Sequence, residues 1–390
     1  MNKERKHIVF LARWYPHRYD PMFGLFVQRH AEAAALFNDI TVIYCQQTTD
    51  NGQQTSSKEK FEIVRTNENN VDTIRVYYKK PKNKIQSLLR IYRANMMALK
   101  LCKKPDLIHV HVLTRLGVIA WIQKILHKTP YIITEHWSRY LPGNDFSGFL
   151  RKAACKLVVR NARTVTTVTE NLATAMKNHG LKNDNYVVLP NVVNLDMFHI
   201  NSQCTDATST EAINRVPTII HISCFEDKSK NISGLLESLK IIDDKGIDFQ
   251  CKLIGEGMDL DLMKEKAKNL QLINKVSFTG LLQGQALADE LSSGDFLVLS
   301  SNYENMPVVI LEALASGLPV VSTNVGGIKE MIDDTKGILV EPRNKETLAE
   351  AMIKMIETHK NYDANYLRNS VIEKYGYESV GRFLSRLYNK

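Results

Sequence analysis

The chain is predicted to fold as α/β, with two domains that each carry a parallel sheet covered by helices. Three observations point there. First, short β-branched runs alternate with helical stretches along all 390 residues. Second, the runs are apolar almost throughout rather than alternating, so both faces of each sheet are expected to be buried. Third, a polar, turn-rich stretch, H-I-N-S-Q-C-T-D-A-T-S-T-E-A-I-N-R, separates the alternating pattern into two halves. The boundaries read as a first domain over 1–198, a linker over 199–216 and a second domain over 217–375.

In the first half, strands are expected at 7–12, 40–45, 107–111, 131–135, 164–169 and 186–190. In the second, they are expected at 218–223, 249–255, 275–280, 296–301, 319–323 and 337–340. Ligands of such sheets bind beyond the carboxyl ends of the strands.

Composition narrows the class. A hydrophobic content of 44% is that of a globular chain, so disorder and fibrous repeats are set aside. The longest apolar run near the middle, L-G-V-I-A-W-I, is too short to span a bilayer. The start, M-N-K-E-R-K-H-I-V-F, has no long apolar core or small-residue cleavage site, so no signal peptide is expected. Six scattered cysteines without a C-x-x-C pair fit a reducing, cytoplasmic setting.

Charge is uneven. Residues 1–200 hold 30 Lys and Arg against 15 Asp and Glu; the remainder holds 21 against 27. A basic half suits nucleic acid, an anionic membrane face or a phosphorylated substrate.

The stretch S-S-N-Y-E-N-M-P-V-V-I-L-E-A-L-A-S-G holds most of the chemistry. A strand ends, a loop follows, and Pro307 is expected at the first position of a helix that stops near Gly317. The helix is apolar nearly all round, so it is buried and Glu312 lies inside it. A buried carboxylate needs a partner. A ribose diol would serve, and so would a buried arginine. Glu304 sits just before the helix, where free backbone N–H groups attract anions such as a diphosphate.

D-F-L-V-L-S-S-N-Y-E-N-M-P-V-V-I-L-E-A-L-A-S-G-L-P-V-V-S-T-N-V-G-G-I-K-E resembles the signature of family-4 retaining glycosyltransferases of GT-B fold. L-I-G-E-G-M, P-N-V-V-N-L-D-M-F, V-S-F-T-G-L-L and K-G-I-L-V-E-P fall in that family's order, so the resemblance covers almost the whole chain. It implies two Rossmann-like domains whose sheets face each other across a cleft, with a C-terminal helix, about 376–390, crossing back to the first domain. The first domain would take the acceptor and the second a UDP- or GDP-linked sugar. No metal or other cofactor is expected.

The resemblance also implies site residues. Glu304 and Glu312 match the E-x7-E pair, with Asn305, Met306, Pro307 and Val308 between them as donor contacts. Lys230 matches a lysine on the donor diphosphate. The family's arginine is missing where Cys224, Phe225 and Glu226 stand, and Lys228 either replaces it or is a solvated loop residue. Gly255 and Gly257 lie near the nucleotide base, or simply form a tight turn. His136 matches an active-site histidine, with Glu135 expected to set its tautomer. Gly24 lies in a loop close to the donor phosphates. His17 and Arg18 are candidate acceptor contacts, or solvated loop residues. His111 is a further acceptor candidate. His109 and His111 are read as facing opposite sides of their strand, which argues against a shared metal site. The D-x-D spelling at 259–261 is read as a helix start rather than a metal site.

Residues 79–104 are basic and amphipathic, with a stripe of Ile85, Leu88, Leu89, Tyr92, Met96 and Leu99. The stretch reads either as a packed helix with a solvated face or as a peripheral contact with an anionic membrane. No nucleic acid partner is expected, since no interleaved aromatics accompany the basic residues. The expected function is retaining hexosyl transfer to a glycan or lipid-linked acceptor, in cell-surface polysaccharide or glycolipid synthesis, at the cytoplasmic face of the inner membrane. A GT-B sugar-nucleotide epimerase and a non-catalytic basic binding protein are the alternatives.

Overall fold

The structure, a computed structural model, describes residues 5–48, 60–113, 115–144, 146–200 and 215–390. It separates into two compact units, Met1–Val192 with Tyr377–Lys390, and Val193–Gly376. The division falls six residues before the boundary read at 198, and most of the linker read at 199–216 lies outside the described residues.

The first unit is built on β1 (His7–Ala12), β2 (Asp39–Gln47), β3 (Phe61–Glu68), β4 (Val71–Tyr78), β5 (Leu107–His111), β6 (Tyr131–Glu135), β7 (Thr164–Thr167) and β8 (Tyr186–Val188). Their order is β3-β4-β2-β1-β5-β6-β7-β8. The chain leaves β1 toward β2 and leaves β5 toward β6, so the sheet reverses direction between β1 and β5. Connecting helices are α1 (Leu25–Ala35), α2 (Lys84–Leu101), α3 (Arg115–His127), α4 (Phe149–Asn161) and α5 (Glu170–Asn178).

The strand reading missed β3 and β4, and the sheet is not wholly parallel, because these two pair antiparallel. Their turn is Asn69-Asn70 with φ of 52° and 61°, the two left-handed residues of a tight hairpin turn. Asparagine tolerates that region, so the N-N pair was the available signal.

The stripe on α2 also divides. Met96 and Leu99 are half-buried beside the buried Ala94, Asn95 and Ala98, but Ile85, Leu88, Leu89 and Tyr92 are exposed. The packed-helix reading therefore holds only for the C-terminal half.

In the second unit, β9 (Thr218–Ile222), β10 (Gln250–Ile254), β11 (Val276–Gly280), β12 (Phe296–Leu299), β13 (Val320–Thr323) and β14 (Gly337–Val340) form one parallel sheet. All six were expected. Their order, β11-β10-β9-β12-β13-β14, is that of a dinucleotide-binding sheet, with its switch point between β9 and β12. Helices α6 (Asp227–Lys230), α7 (Ile232–Asp244), α8 (Leu260–Asn269), α9 (Gly284–Ser292), α10 (Val308–Ala315), α11 (Lys345–Thr358) and α12 (Ala364–Tyr375) complete it. Phe225, Leu235, Leu239, Phe249, Phe296 and Met352 are among its fully buried core residues.

The last helix, α13 (Tyr377–Tyr388), groups with the first unit. It packs along α1, whose Ala31 and Ala33–Ala35 leave room for close approach. Tyr377 donates to Glu32 Oε2 at 2.9 Å, and the Tyr388 hydroxyl lies 2.9 Å from His109 Nδ1.

Candidate active site

In the second unit, the loops beyond β9, β10, β12 and β13 meet at the switch point. The β9 loop carries Lys230 and the β12 loop carries Glu304. Lys230 Nζ donates to Glu304 Oε1 at 2.6 Å, and Ser301 Oγ donates to the same oxygen at 2.8 Å. Both side chains are mostly buried, at 19% and 12% exposure. Burial pushes the Lys230 ammonium down, but the Glu304 carboxylate more than offsets it, and the pKa stands above the usual lysine value. One buried cation is therefore held at the sheet's carboxyl edge.

Around this pair the backbone is tightly set. Gly255 has φ 137°, and a Cβ there would lie 1.9 Å from the Ser223 carbonyl oxygen. Gly326 has φ 59°, and a Cβ would lie 1.8 Å from the Glu304 carbonyl oxygen. Only glycine fits either place. The G-G of T-N-V-G-G, to which no role was given, is thus what seats the Glu304 loop. Gly257 lies against the Phe225 backbone.

Asp259, from the D-x-D spelling, accepts the Asp227 N–H at 2.8 Å, and Asp227 in turn takes the N–H and hydroxyl of Ser233. Lys228 is exposed, and so is Cys224. Asn231 has φ 50° and precedes α7, which opens at Ile232.

The α10 helix begins at Val308, so Pro307 is its N-cap rather than its first helical residue. Its ψ of 116° is extended, which ends the loop one residue later than the sequence reading assumed. Asn305, Met306 and Glu312 are buried.

His221, on β9, was not singled out. Its Nδ1 lies 2.9 Å from the Val298 carbonyl and its Nε2 2.8 Å from Ser223 Oγ. Burial brings its pKa down to about 4. A neutral ring that donates through Nδ1 accepts through Nε2, so the Ser223 hydroxyl donates inward and its lone pairs are left for the site.

In the first unit, the carboxyl ends of β1, β5 and β6 surround a stack of histidines. His109 and His111 share one face of β5, with ring centroids 4.1 Å apart. This corrects the reading that placed them on opposite sides: residues two apart in a strand point the same way. His111 Nδ1 lies 3.2 Å from His136 Nε2, and the rings stack at 19°. His30 of α1, a residue no motif flagged, completes the group.

Burial, followed by mutual repulsion, holds His109, His111 and His136 well below the usual imidazole range. His30 is at about 4, held down by burial. All four are neutral near pH 7. Next to them, Val112 has φ 71°, a strained position for a β-branched residue.

Glu135 does not set the His136 tautomer. Its carboxylate accepts the main-chain N–H groups of Leu113, His136 and Trp137 at 2.8–2.9 Å. His111 meets the His136 ring at Nε2.

Ring nitrogens of His30, His111 and His136 lie within 4.8 Å of one another, a set that could hold a metal. The two His30 nitrogens face the carbonyl oxygens of Phe26 and Pro190 at 2.8 and 2.9 Å, and His111 bonds His136. An ion would have to displace those contacts.

His17 stacks on Tyr44, and Arg18 pairs with both oxygens of Glu62 and lies 3.6 Å over the Tyr77 ring. These partners sit on β2, β3 and β4. Gly24, with φ 71°, opens α1 against the Trp14–Tyr15 backbone.

Two doubly wound sheets, with a lysine–glutamate pair at the switch point of the second, define a two-domain α/β protein of the kind that binds ligands at its strand ends. Residues 14–197 match the family model described as Glycosyltransferase Family 4, and residues 207–371 match Glycosyl transferases group 1. The chain belongs to the group 1 glycosyltransferases and has the GT-B fold.

It is 27% identical over 252 residues to a Bacillus subtilis glycosyltransferase assigned to teichuronic acid biosynthesis, covering 64% of this chain and 60% of that one. It is 32% identical over 168 residues to the N-acetyl-alpha-D-glucosaminyl L-malate synthase of Bacillus anthracis, covering 42% of each. The chain thus spans about 60% or less of the length of these curated relatives.

Among solved structures, sucrose-phosphate synthase from Thermosynechococcus elongatus superposes with a TM-score of 0.78 at 20% identity, over 99% of this chain and 98% of that one. Anabaena HepE in complex with UDP superposes at 0.73 with 18% identity, over 98% and 99%.

Proposed function

We propose that this protein is a retaining glycosyltransferase that moves a hexose from a UDP- or GDP-linked donor to a glycan or lipid-linked acceptor. The product would belong to cell-surface polysaccharide or glycolipid synthesis. The observation that carries the reading is the Lys230–Glu304 pair at the switch point, where a parallel sheet of this order takes its ligand. HepE, solved with UDP, supports a nucleotide-linked donor.

In this reading Lys230 leaves Glu304 for the donor diphosphate, and Glu304 turns to the hydroxyls of the transferred sugar. The N–H groups at the start of α10, beside Asn305, Met306 and Pro307, add dipolar stabilisation of the leaving diphosphate. Glu312 accepts from the ribose, and Gly255 and Gly257 let the base approach the backbone. The acceptor attacks from the face that the diphosphate leaves, and the diphosphate takes its proton. His136, oriented by His111, donates to a sugar hydroxyl. Lys228 stands in for the absent arginine as a point charge, without its bidentate fork. No metal takes part, and the protein works at the cytoplasmic face of the inner membrane, in peripheral contact through residues 79–104.

The test is calorimetric titration with UDP, GDP and ADP in EDTA, followed by a product assay on matching sugar nucleotides. Selective binding of UDP or GDP without metal supports the donor site. No binding to any, with restoration by magnesium, overturns the metal-free reading. Donor consumption that leaves the sugar on the nucleotide overturns transfer in favour of epimerisation.

A further inference from the structure

We infer that the first unit docks on an anionic lipid bilayer through an overhanging edge made by α2 and α4 together. The two helices belong to one layer, bridged by α3. Arg115 of α3 reaches Ser87 of α2 at 3.3 Å, and Gln123 reaches Met96 at 3.6 Å. On the other side, Gly117 leaves just enough room for Val158 of α4, and Lys124 donates to the Asn161 carbonyl at 2.7 Å. These pairings ascend together along each chain, so the three helices run parallel and begin at the same edge of the sheet. That edge holds the carboxyl ends of β5 and β6, where His111 and His136 stand.

The helices do not begin level. Phe149 precedes Val158 by nine residues, while Gly117 is only the third residue of α3. At 1.5 Å per residue, the start of α4 stands roughly 5–10 Å beyond the start of α3, the lower figure from the Lys124–Asn161 pairing and the upper from Gly117–Val158. What overhangs is apolar. Phe149 and Leu150 are 84% and 81% exposed, and Ile85 on the first turn of α2 is 71% exposed, with Leu88, Leu89 and Tyr92 exposed behind it.

Charge names the partner. The helices α2, α3 and α4 carry ten Lys and Arg and no Asp or Glu. On the opposite face of the sheet, α1 and α13 mix both signs, and their exposed surface lacks large apolar side chains. An apolar tip on helices whose ionic side chains are all cations suits phosphate headgroups above acyl chains. Among the described residues no helix is long and apolar enough to cross a membrane, so the contact is peripheral. Such a dock would present a lipid-linked acceptor to the histidine edge. It deepens the proposed transfer and rests on that reading only for what the bilayer delivers.

The test is co-sedimentation with vesicles of phosphatidylglycerol and phosphatidylcholine, run without donor or acceptor so that it stands apart from the activity. Wild type is expected to bind vesicles containing phosphatidylglycerol, to be released by salt, and to ignore pure phosphatidylcholine. Phe149→Asp/Leu150→Asp and, separately, Leu88→Asp/Leu89→Asp should each weaken binding by at least about tenfold. Arg151→Glu/Lys152→Glu should do the same with the apolar tip intact. Thermal midpoints and nucleotide binding should not move. Absence of wild-type binding, or undiminished binding in all three variants, overturns the proposal. So does a wild-type dimer that Phe149→Asp/Leu150→Asp dissociates, which would assign the edge to a second copy of this chain.

Discussion

The two sheets end in opposite electrostatic regimes. The first unit gathers four imidazoles, all buried and held neutral, whose ring nitrogens meet carbonyl oxygens, hydroxyls and one another. The second unit spends its burial on a full ion pair, Lys230 with Glu304. A buried pair is a weak source of stability, because desolvation cancels most of the attraction. A protein that keeps one at a switch point has a use for its separated charges. A neutral, hydrogen-bonding edge suits hydroxyl groups; a cation held ready suits a diphosphate. The proposed division, acceptor at the first edge and donor at the second, rests on that contrast.

The contrast breaks most sharply at Lys230. Lys230→Ala should lower kcat/KM by about 10²–10³-fold, the usual cost of losing one preorganised stabiliser of a developing anion. Steady-state kinetics decide it, and a variant within a fewfold of wild type would remove Lys230 from the mechanism.

The next effect concerns acid. A histidine whose folded pKa lies below its unfolded value stabilises the fold above the unfolded pKa, near 6.5, and loses that contribution as pH falls toward the folded value. His30, at about 4, would alone account for about 3 kcal/mol across that window. The first unit has five such groups, four of them buried and His17 half-buried, and the second has His221, so the first should unfold at higher pH. Glu135, raised by burial, works against this, as one group against five. All three tryptophans, Trp14, Trp121 and Trp137, lie in the first unit, so their fluorescence reports it alone. Fluorescence and far-UV circular dichroism should separate between pH ~6.5 and ~4. Coincident transitions would sink the prediction.

Smaller again is Glu312→Ala, which should weaken nucleotide binding by about 10–100-fold through the lost ribose contact. Wild-type affinity by calorimetry would refute the ribose assignment. Least of all, Tyr388→Phe removes the hydroxyl 2.9 Å from His109 Nδ1 and should cost about 1 kcal/mol of the first unit's stability. Urea unfolding followed by tryptophan fluorescence measures it, and nucleotide affinity should stay unchanged.

Legibility differed between the units for a physical reason. All six strands of the second sheet were read, because buried parallel strands are uniform apolar runs between helices. In the first sheet β3 and β4 escaped: an edge hairpin alternates, and its turn is two asparagines rather than a glycine pair. The E-x7-E carboxylates were visible because both lie on one continuous loop and helix. The Lys230–Glu304 contact was not, since 74 residues separate its partners and only the adjacency of β9 and β12 joins them. His30 was invisible for the same reason, being one histidine in an alanine-rich helix.

By itself, then, the sequence determined the α/β class, the two-part organisation, the family and the residue types at the second sheet's switch point. Each of those follows from local periodicity and contiguous motifs. Tertiary structure alone decided which side chains meet. It turned His109 and His111 to one face, gave Glu135 to the backbone, drew Lys230 onto Glu304 and left the first turns of α2 and α4 uncovered. Those outcomes depend on strand order and on helix overhang, which arise when distant segments pack and which no local pattern encodes.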